Sequence, residues 1–262
     1  EVGDGIFNIT QIEYENLNLS AEEKKLVKPF YTTAELHRFY GTNKNRLWVI
    51  YTDSSFNNAE KIQPYPNLKE HLDKFQEVIT SSNKPYGLHR AREEKFFNGE
   101  KIISLRKCAR PTFTFTDFDC YVSQTYFSIQ TKRLNQKYLT GLLNSNLIAF
   151  WLKYQGKMQG DLYQVDKEPL MNLPIVKPTA VIQEKVADLV SSIISNTQKS
   201  SDYQELLDKA KKENNFDREI QLTKELEQLT AELEKAESVI NSTIYELYEI
   251  EPTEISTIEK NI

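Results

Sequence analysis

The chain has 262 residues, 39% hydrophobic and 27% charged, with a formal net charge of -5, which is long enough for one large domain or two modest ones with real cores. No apolar run reaches the ~18 residues a membrane span needs and no charged-then-apolar signal sequence opens the chain, so the expectation is a cytoplasmic protein without a membrane partner. Cys108 and Cys120 lack CxxC spacing in a chain with three His, which argues against a disulfide framework or a zinc site, and the first residue, Glu1 rather than Met, reads as the start of an excised piece.

In chain order, Ser20 with Glu23 forms a capping box that opens a helix over Ala21 to Val27. Arg46 to Thr52 is rich in β-branched and aromatic residues and reads as a strand. A helix follows Asn67, over Leu68 to Thr80. Asn98-Gly99 marks a tight turn before a strand at Lys101 to Leu105, followed by strands at Thr112 to Phe115 and Cys120 to Ile129. The next helix is expected over Asn135 to Tyr154. Strands and helices do not alternate as βαβ units, which points to an α+β fold rather than a Rossmann-like sheet.

The C-terminal part is the plainest. From Phe216 to Tyr248 no Gly or Pro interrupts, and Leu222, Leu226, Leu229, Leu233, Ala236, Ile240 and Leu247 fall at alternating steps of four and three, with Thr243 filling one place. A matching row, Ile182, Val186, Leu189, Ile193, Tyr203, Leu207 and Ala210, precedes it, weakened by Asn196 and Ser200. With Asn214-Asn215 as the turn, the two rows predict an antiparallel helical hairpin, each helix burying the other's stripe. A dimerisation or partner surface is the alternative use of the same seam. A short segment, Thr253 to Lys260, follows Pro252. The expected division is therefore 1–178, mixed strands and helices, and 179–262, the helical hairpin.

Charge follows that division. Residues 1–178 hold 24 Lys and Arg against 20 Asp and Glu, whereas residues 179–262 hold 9 against 18. Lys84 to Arg110 concentrates Lys84, Arg90, Arg92, Lys95, Lys101, Arg106, Lys107 and Arg110 against Glu93, Glu94 and Glu100, a local excess of the kind a phosphate-facing surface shows. Arg at such edges can clamp phosphate or read guanine bidentately. A second cluster, Lys153, Gln155, Lys157, Gln159, Tyr163 and Gln164 around Gly156 and Gly160, combines phosphate-binding Lys with Gln and Asp161, which could read adenine or cytosine edges, and glycines would let backbone approach a groove. The bland readings are a solvated basic face and a surface loop after an amphipathic helix.

Catalytic signatures are incomplete. Asn83-Lys84-Pro85-Tyr86 only approximates the Asn/Asp-Pro-Pro-aromatic tetrapeptide of a DNA methyltransferase, and no Gly-rich cofactor loop precedes it. Asp73 with Glu93, Glu94 and Lys95 imitates the carboxylate-and-Lys pattern of a metal-dependent nuclease, a short pattern common by chance. An autonomous nuclease and a helical interaction scaffold stay as rivals to a DNA-binding module.

Three separated segments resemble the TaqI-like C-terminal specificity domain, the target recognition module of adenine-specific DNA methyltransferases and of single-chain type IIG restriction-modification enzymes. They are Leu19 to Tyr40 (LSAEEKKLVKPFYTTAELHRFY) with Trp48 to Asp53 (WVIYTD), Leu68 to Gln124 with its LHRAREEKFFNGEKIISLRKCARPTFTF block, and Tyr138 to Pro178 with GLLNS, FWLKYQGK, YQVDKEPL and NLPI in order. The resemblance implies a mixed-sheet DNA target recognition domain followed by the hairpin, with double-stranded DNA and an N-terminal methyltransferase domain of the same parent chain as partners. No catalytic residue, metal or cofactor is then expected in this chain; S-adenosylmethionine, and Mg if the parent also cuts DNA, belong to the missing domains. Only Lys153, Gly156, Lys157 and Tyr163 sit on the family's loop pattern, and Gln159 and Asp161 depart from it. Lys28, Tyr31 and Arg38, from the first segment, join the expected DNA-facing set.

Overall fold

A computed structural model describes residues 5–262. The N-terminal third carries β1 (Asn8–Thr10), α1 (Gln11–Asn16), α2 (Ala21–Lys24), β2 (Val27–Phe30), β3 (Phe39–Tyr40), β4 (Leu47–Ile50) and α3 (Pro66–Asp73). Next come β5 (Lys101–Leu105), β6 (Lys107–Cys108), β7 (Phe113–Thr116), β8 (Tyr126–Ile129), α4 (Gln136–Leu143) and α5 (Asn146–Gln155). The remainder is β9 (Lys157–Gln159), β10 (Leu162–Gln164), α6 (Lys167–Met171), α7 (Ala180–Lys212), α8 (Phe216–Leu247) and α9 (Pro252–Lys260). The fold is α+β with a long C-terminal hairpin, and the chain condenses into two compact units.

The first unit comprises the residues up to Glu35, Asn43–Gly99 and Asp117–Ser123. Its antiparallel sheet has the order β1-β4-β2. Ile9, Val27 and Ile50 from the sheet bury against Leu68 and Leu72 of α3 and against Phe56, Ile62 and Ile79. The capping box at Ser20 forms as the sequence predicts, but α2 ends at Lys24 and the chain turns into β2. Pro29 is accommodated because β2 is the edge strand of its sheet, with a ladder to β4 on one side and a single bridge, at Phe30, on the other, so no second ladder needs the missing N–H. The helix expected to Thr80 stops at Asp73 and begins one residue before Asn67, with Pro66 in its first turn. Ile79 is pulled into the core while Val78 faces solvent.

The second unit comprises Leu36–Thr42, Glu100–Thr116 and Gln124–Ile262. Its larger sheet, β3-β7-β5-β8, is antiparallel except for the parallel β3/β7 pair. The predicted strand from Cys120 to Ile129 is divided: Tyr121 bridges Phe30 in the first unit, while Tyr126–Ile129 forms β8 here. The single helix expected over Asn135 to Tyr154 is likewise broken in two. Asn144 turns its amide onto the backbone of Phe113, donating to its carbonyl at 2.7 Å and accepting from its N–H at 3.1 Å, and Ser145 caps α5.

The hairpin α7/α8 forms with the predicted seam and turn, and Asn214 adopts the left-handed conformation at φ 53°. It does not stand alone. Tyr138, Leu139 and Leu142 of α4 share one core with Val186, Val190 and Ile193 of α7, Ile240 and Ile244 of α8, and Phe39, Ile102 and Phe113 of the sheet. Gly141 is the contact point, since a Cβ there would meet Val186 Cγ1 at 2.6 Å.

Candidate nucleic-acid interface

Three short strands build one part of the candidate surface. In the second unit β6, β10 and β9 form an antiparallel ribbon in that order. Cys108, Tyr163 and Met158 lie across from one another, as do Lys107, Gln164 and Lys157. Directly opposed residues project on the same face and successive ones on opposite faces. Cys108 and Tyr163 belong to the buried core, so the Lys107, Gln164 and Lys157 row is the outward one, and Lys107 and Lys157 are exposed. At the tip Gly160 takes φ 60°, which a side chain rarely tolerates. The stretch read as a loop is thus half ribbon.

The fold separates the predicted residues around it by use. Tyr163 is buried on the ribbon's inner face, and burial raises its pKa. Lys153 donates through Nζ to the Asn261 carbonyl at 2.6 Å and so holds the end of α9. Gly156 makes room for the Leu152 carbonyl, 2.5 Å from where a Cβ would stand, which is an internal requirement. Gln155 and Gln159 are exposed. Arg110 is exposed and donates to Asn146 Oδ1 at 2.6 Å. Arg106 donates to Asp166 Oδ1 at 3.1 Å with its guanidinium 5.0 Å from the Phe127 ring centroid.

Arg38, expected to face DNA, lies largely buried in the same unit. Its guanidinium donates to Glu237 on α8 at 2.5 Å and to the Asn144 carbonyl at 2.6 Å; burial lowers its pKa while Glu237 opposes that shift. It fastens the hairpin to the α4–α5 break. Lys101, counted among the local cations, is fully buried in β5.

In the first unit, Tyr31 is buried and its hydroxyl donates to the Asn43 carbonyl at 3.1 Å, so it acts as core. Lys28 is 2.8 Å from Glu94. Burial would raise the Glu94 pKa, but the hydrogen bonds from Lys28 and Tyr121 outweigh it and the net shift is downward. Arg90, Arg92 and Lys95 are exposed. The backbone at Arg92 is pinned by the Tyr51 hydroxyl, which donates to the Arg92 carbonyl and accepts from its N–H, both at 2.7 Å. Lys95 pairs with Glu93.

The nuclease-like pattern does not assemble. Asp73 accepts from Lys69 at 2.6 Å and from Tyr86 at 2.7 Å, Glu94 faces Lys28, and among the described residues no group of three His, Cys, Asp or Glu could hold a metal ion. Asn83, from the methyltransferase-like tetrapeptide, donates to the Leu88 carbonyl at 2.8 Å and closes its own loop. No helix among the described residues is long and apolar enough to cross a membrane. Sequence reasoning missed Asp166, although its position two residues after Gln164, at the end of a strand, was a signal that the two side chains share a side.

An α+β scaffold that turns basic and amide side chains outward from a short ribbon, with Asp73, Glu94 and Asp166 engaged in internal pairs, suits a binding module. The chain belongs to the TaqI-like C-terminal specificity domain family, which matches residues 28–175. It is also similar to two curated proteins. The type II methyltransferase M.HincII of Haemophilus influenzae is 26% identical over 185 residues, 62% of this chain and 36% of the relative. The type II methyltransferase M.HindII of Haemophilus influenzae is 22% identical over 221 residues, 75% of this chain and 42% of the relative. The matched regions thus span less than half the length of these relatives.

Proposed function

We propose that this chain is the sequence-specific, double-stranded-DNA recognition module of a type II restriction-modification methyltransferase. The observation that carries the reading is the specificity-domain family match over residues 28–175, and the outward Lys107, Gln164 and Lys157 row supports it. Lysines and arginines at the rim anchor phosphates and set register, while amide and guanidinium groups read base edges. Within that reading the parent is adenine-specific, in the type IIG arrangement, and a methyltransferase domain elsewhere in the parent supplies S-adenosylmethionine and modifies a base that this module helps to present. The two methyltransferase relatives support that division of labour.

The test is methylation sequencing of DNA exposed to the parent protein. It should report modified adenine within one short motif. Modification of cytosine would remove the adenine assignment, and an absence of duplex binding by the chain at low salt would remove the recognition role.

A further inference from the structure

Asp166 occupies a position that the recognition role described above does not by itself require. One carboxylate oxygen accepts from Arg106 Nη2 at 3.1 Å and the other accepts from Gln164 Nε2 at 2.8 Å. Arg106 comes from the junction of β5 and β6, and Gln164 from the end of β10. The backbone brings them together, since the Arg106 carbonyl accepts from Val165 N–H at 2.7 Å. The Phe127 ring supports the guanidinium from its face. The Asp166 side chain is about a quarter exposed and that of Arg106 is 42% exposed, so the group is neither sealed in the core nor loose on the surface.

We propose that Asp166 is a positioning residue that fixes Arg106 and Gln164 as a pair of purine-reading side chains. This rests on the DNA-recognition reading. A carboxylate has only acceptors, so a Gln that donates to it must turn its nitrogen toward it. That sets the amide's flip and leaves Oε1 and one N–H directed away, the acceptor-donor pair that adenine N6 and N7 take. Arg106 has one nitrogen of its fork, Nη2, on the same carboxylate, leaving Nη1 for an acceptor such as guanine O6 or N7. Lys107 and Lys157 stand on either side of Gln164 in the same row, about 10 Å apart across two strand spacings. The β9/β10 pair is the two-stranded part that fits the roughly 12 Å major groove, with Lys157 on it and Lys107, on the flanking β6, toward the phosphate walls. The ligand is therefore a duplex with purines at the contacted positions, read from the major groove.

Selection from a randomised duplex pool with the full chain, followed by titration of the selected and a random duplex, tests this. Asp166→Ala should reduce the preference for the selected duplex by roughly 10- to 100-fold, in keeping with the discrimination of a bidentate base contact. Affinity for random duplex and its salt slope should stay as in the wild type. Asp166→Asn, which keeps an acceptor for one partner, should retain part of the preference. Unchanged preference in a folded Asp166→Ala protein overturns the proposal while leaving DNA recognition intact; failure of the wild-type chain to bind any duplex overturns both. If Asp166→Ala does not fold, Gln164→Ala decides: loss of purine discrimination at one position supports the pairing, and full discrimination overturns it.

Discussion

Glu23 is fully buried, and its oxygens accept from Ser20 N–H at 2.9 Å, Asn67 N–H at 2.7 Å, Asn67 Nδ2 at 3.0 Å and Leu68 N–H at 3.2 Å. The capping box was legible from the sequence; its second partnership, with the start of α3, was not, because it joins residues more than forty positions apart. Burial alone would raise the Glu23 pKa, but hydrogen bonds from Ser20, Leu68 and Asn67 outweigh it and the net shift is downward. The charged form is thus favoured in the folded state, so its stabilisation is complete above the ordinary carboxylate value of about 4.3 and is lost as pH falls through the lower folded value. Glu23→Gln should cost on the order of 1–3 kcal/mol at neutral pH, and denaturant unfolding should show the gap from wild type closing on acidification. Cys108 offers a second residue-scale expectation: burial pushes its thiol up to about 11, and the thiolate is the reactive form. Neither Cys108 nor Cys120, both buried, should react with a thiol reagent at pH 7.5 until the protein unfolds, which a reagent time course with and without denaturant would show.

At the scale of elements, periodicity predicted what local pattern controls and failed where a distant partner intervened. The α7/α8 seam was readable because each stripe must be buried wherever the helix lies. The break between α4 and α5 was not, because it depends on Asn144 finding Phe113. Nor did the sequence mark Gly141 as a packing residue, since a helix-interior glycine ordinarily just weakens the helix. In the fold it lets α4 approach α7, and the methyl of Gly141→Ala would overlap a stiff β-branched Val186. Overpacking should outweigh the gain in helix propensity of about 1 kcal/mol, leaving the variant less stable by roughly 1–2 kcal/mol. A companion Val186→Ala substitution should recover part of that loss in thermal unfolding.

For the whole molecule, the net charge of -5 understates the basic character of the proposed interface, because the acidic residues concentrate in the C-terminal helices. Duplex affinity should therefore fall steeply with salt despite the overall sign. Replacing Lys107 and Lys157 together by Ala should reduce the magnitude of the log–log salt slope by about 1.8, two phosphate contacts at ~0.9 each, in fluorescence anisotropy titrations. The hairpin is also a stability element: a chain ending at 178 would expose Tyr138, Leu139 and Leu142, which share their core with Val186, Val190 and Ile240. Such a truncation should lose cooperative unfolding by circular dichroism.

The sequence by itself determined the α+β class, the long hairpin and the separation of basic from acidic segments, since periodicity and charge are properties of neighbouring residues. The tertiary structure decided which cations face outward. Arg38 and Lys101 look like Lys107 and Lys157 in sequence, yet Arg38 is held by Glu237 and Asn144, Lys101 is buried in a central strand, and the other two share the outward face of a ribbon. It also placed Asp166 between Arg106 and Gln164. The physical reason is the same in each case: exposure and orientation are set by strand register and by partners distant along the chain, which no local pattern encodes.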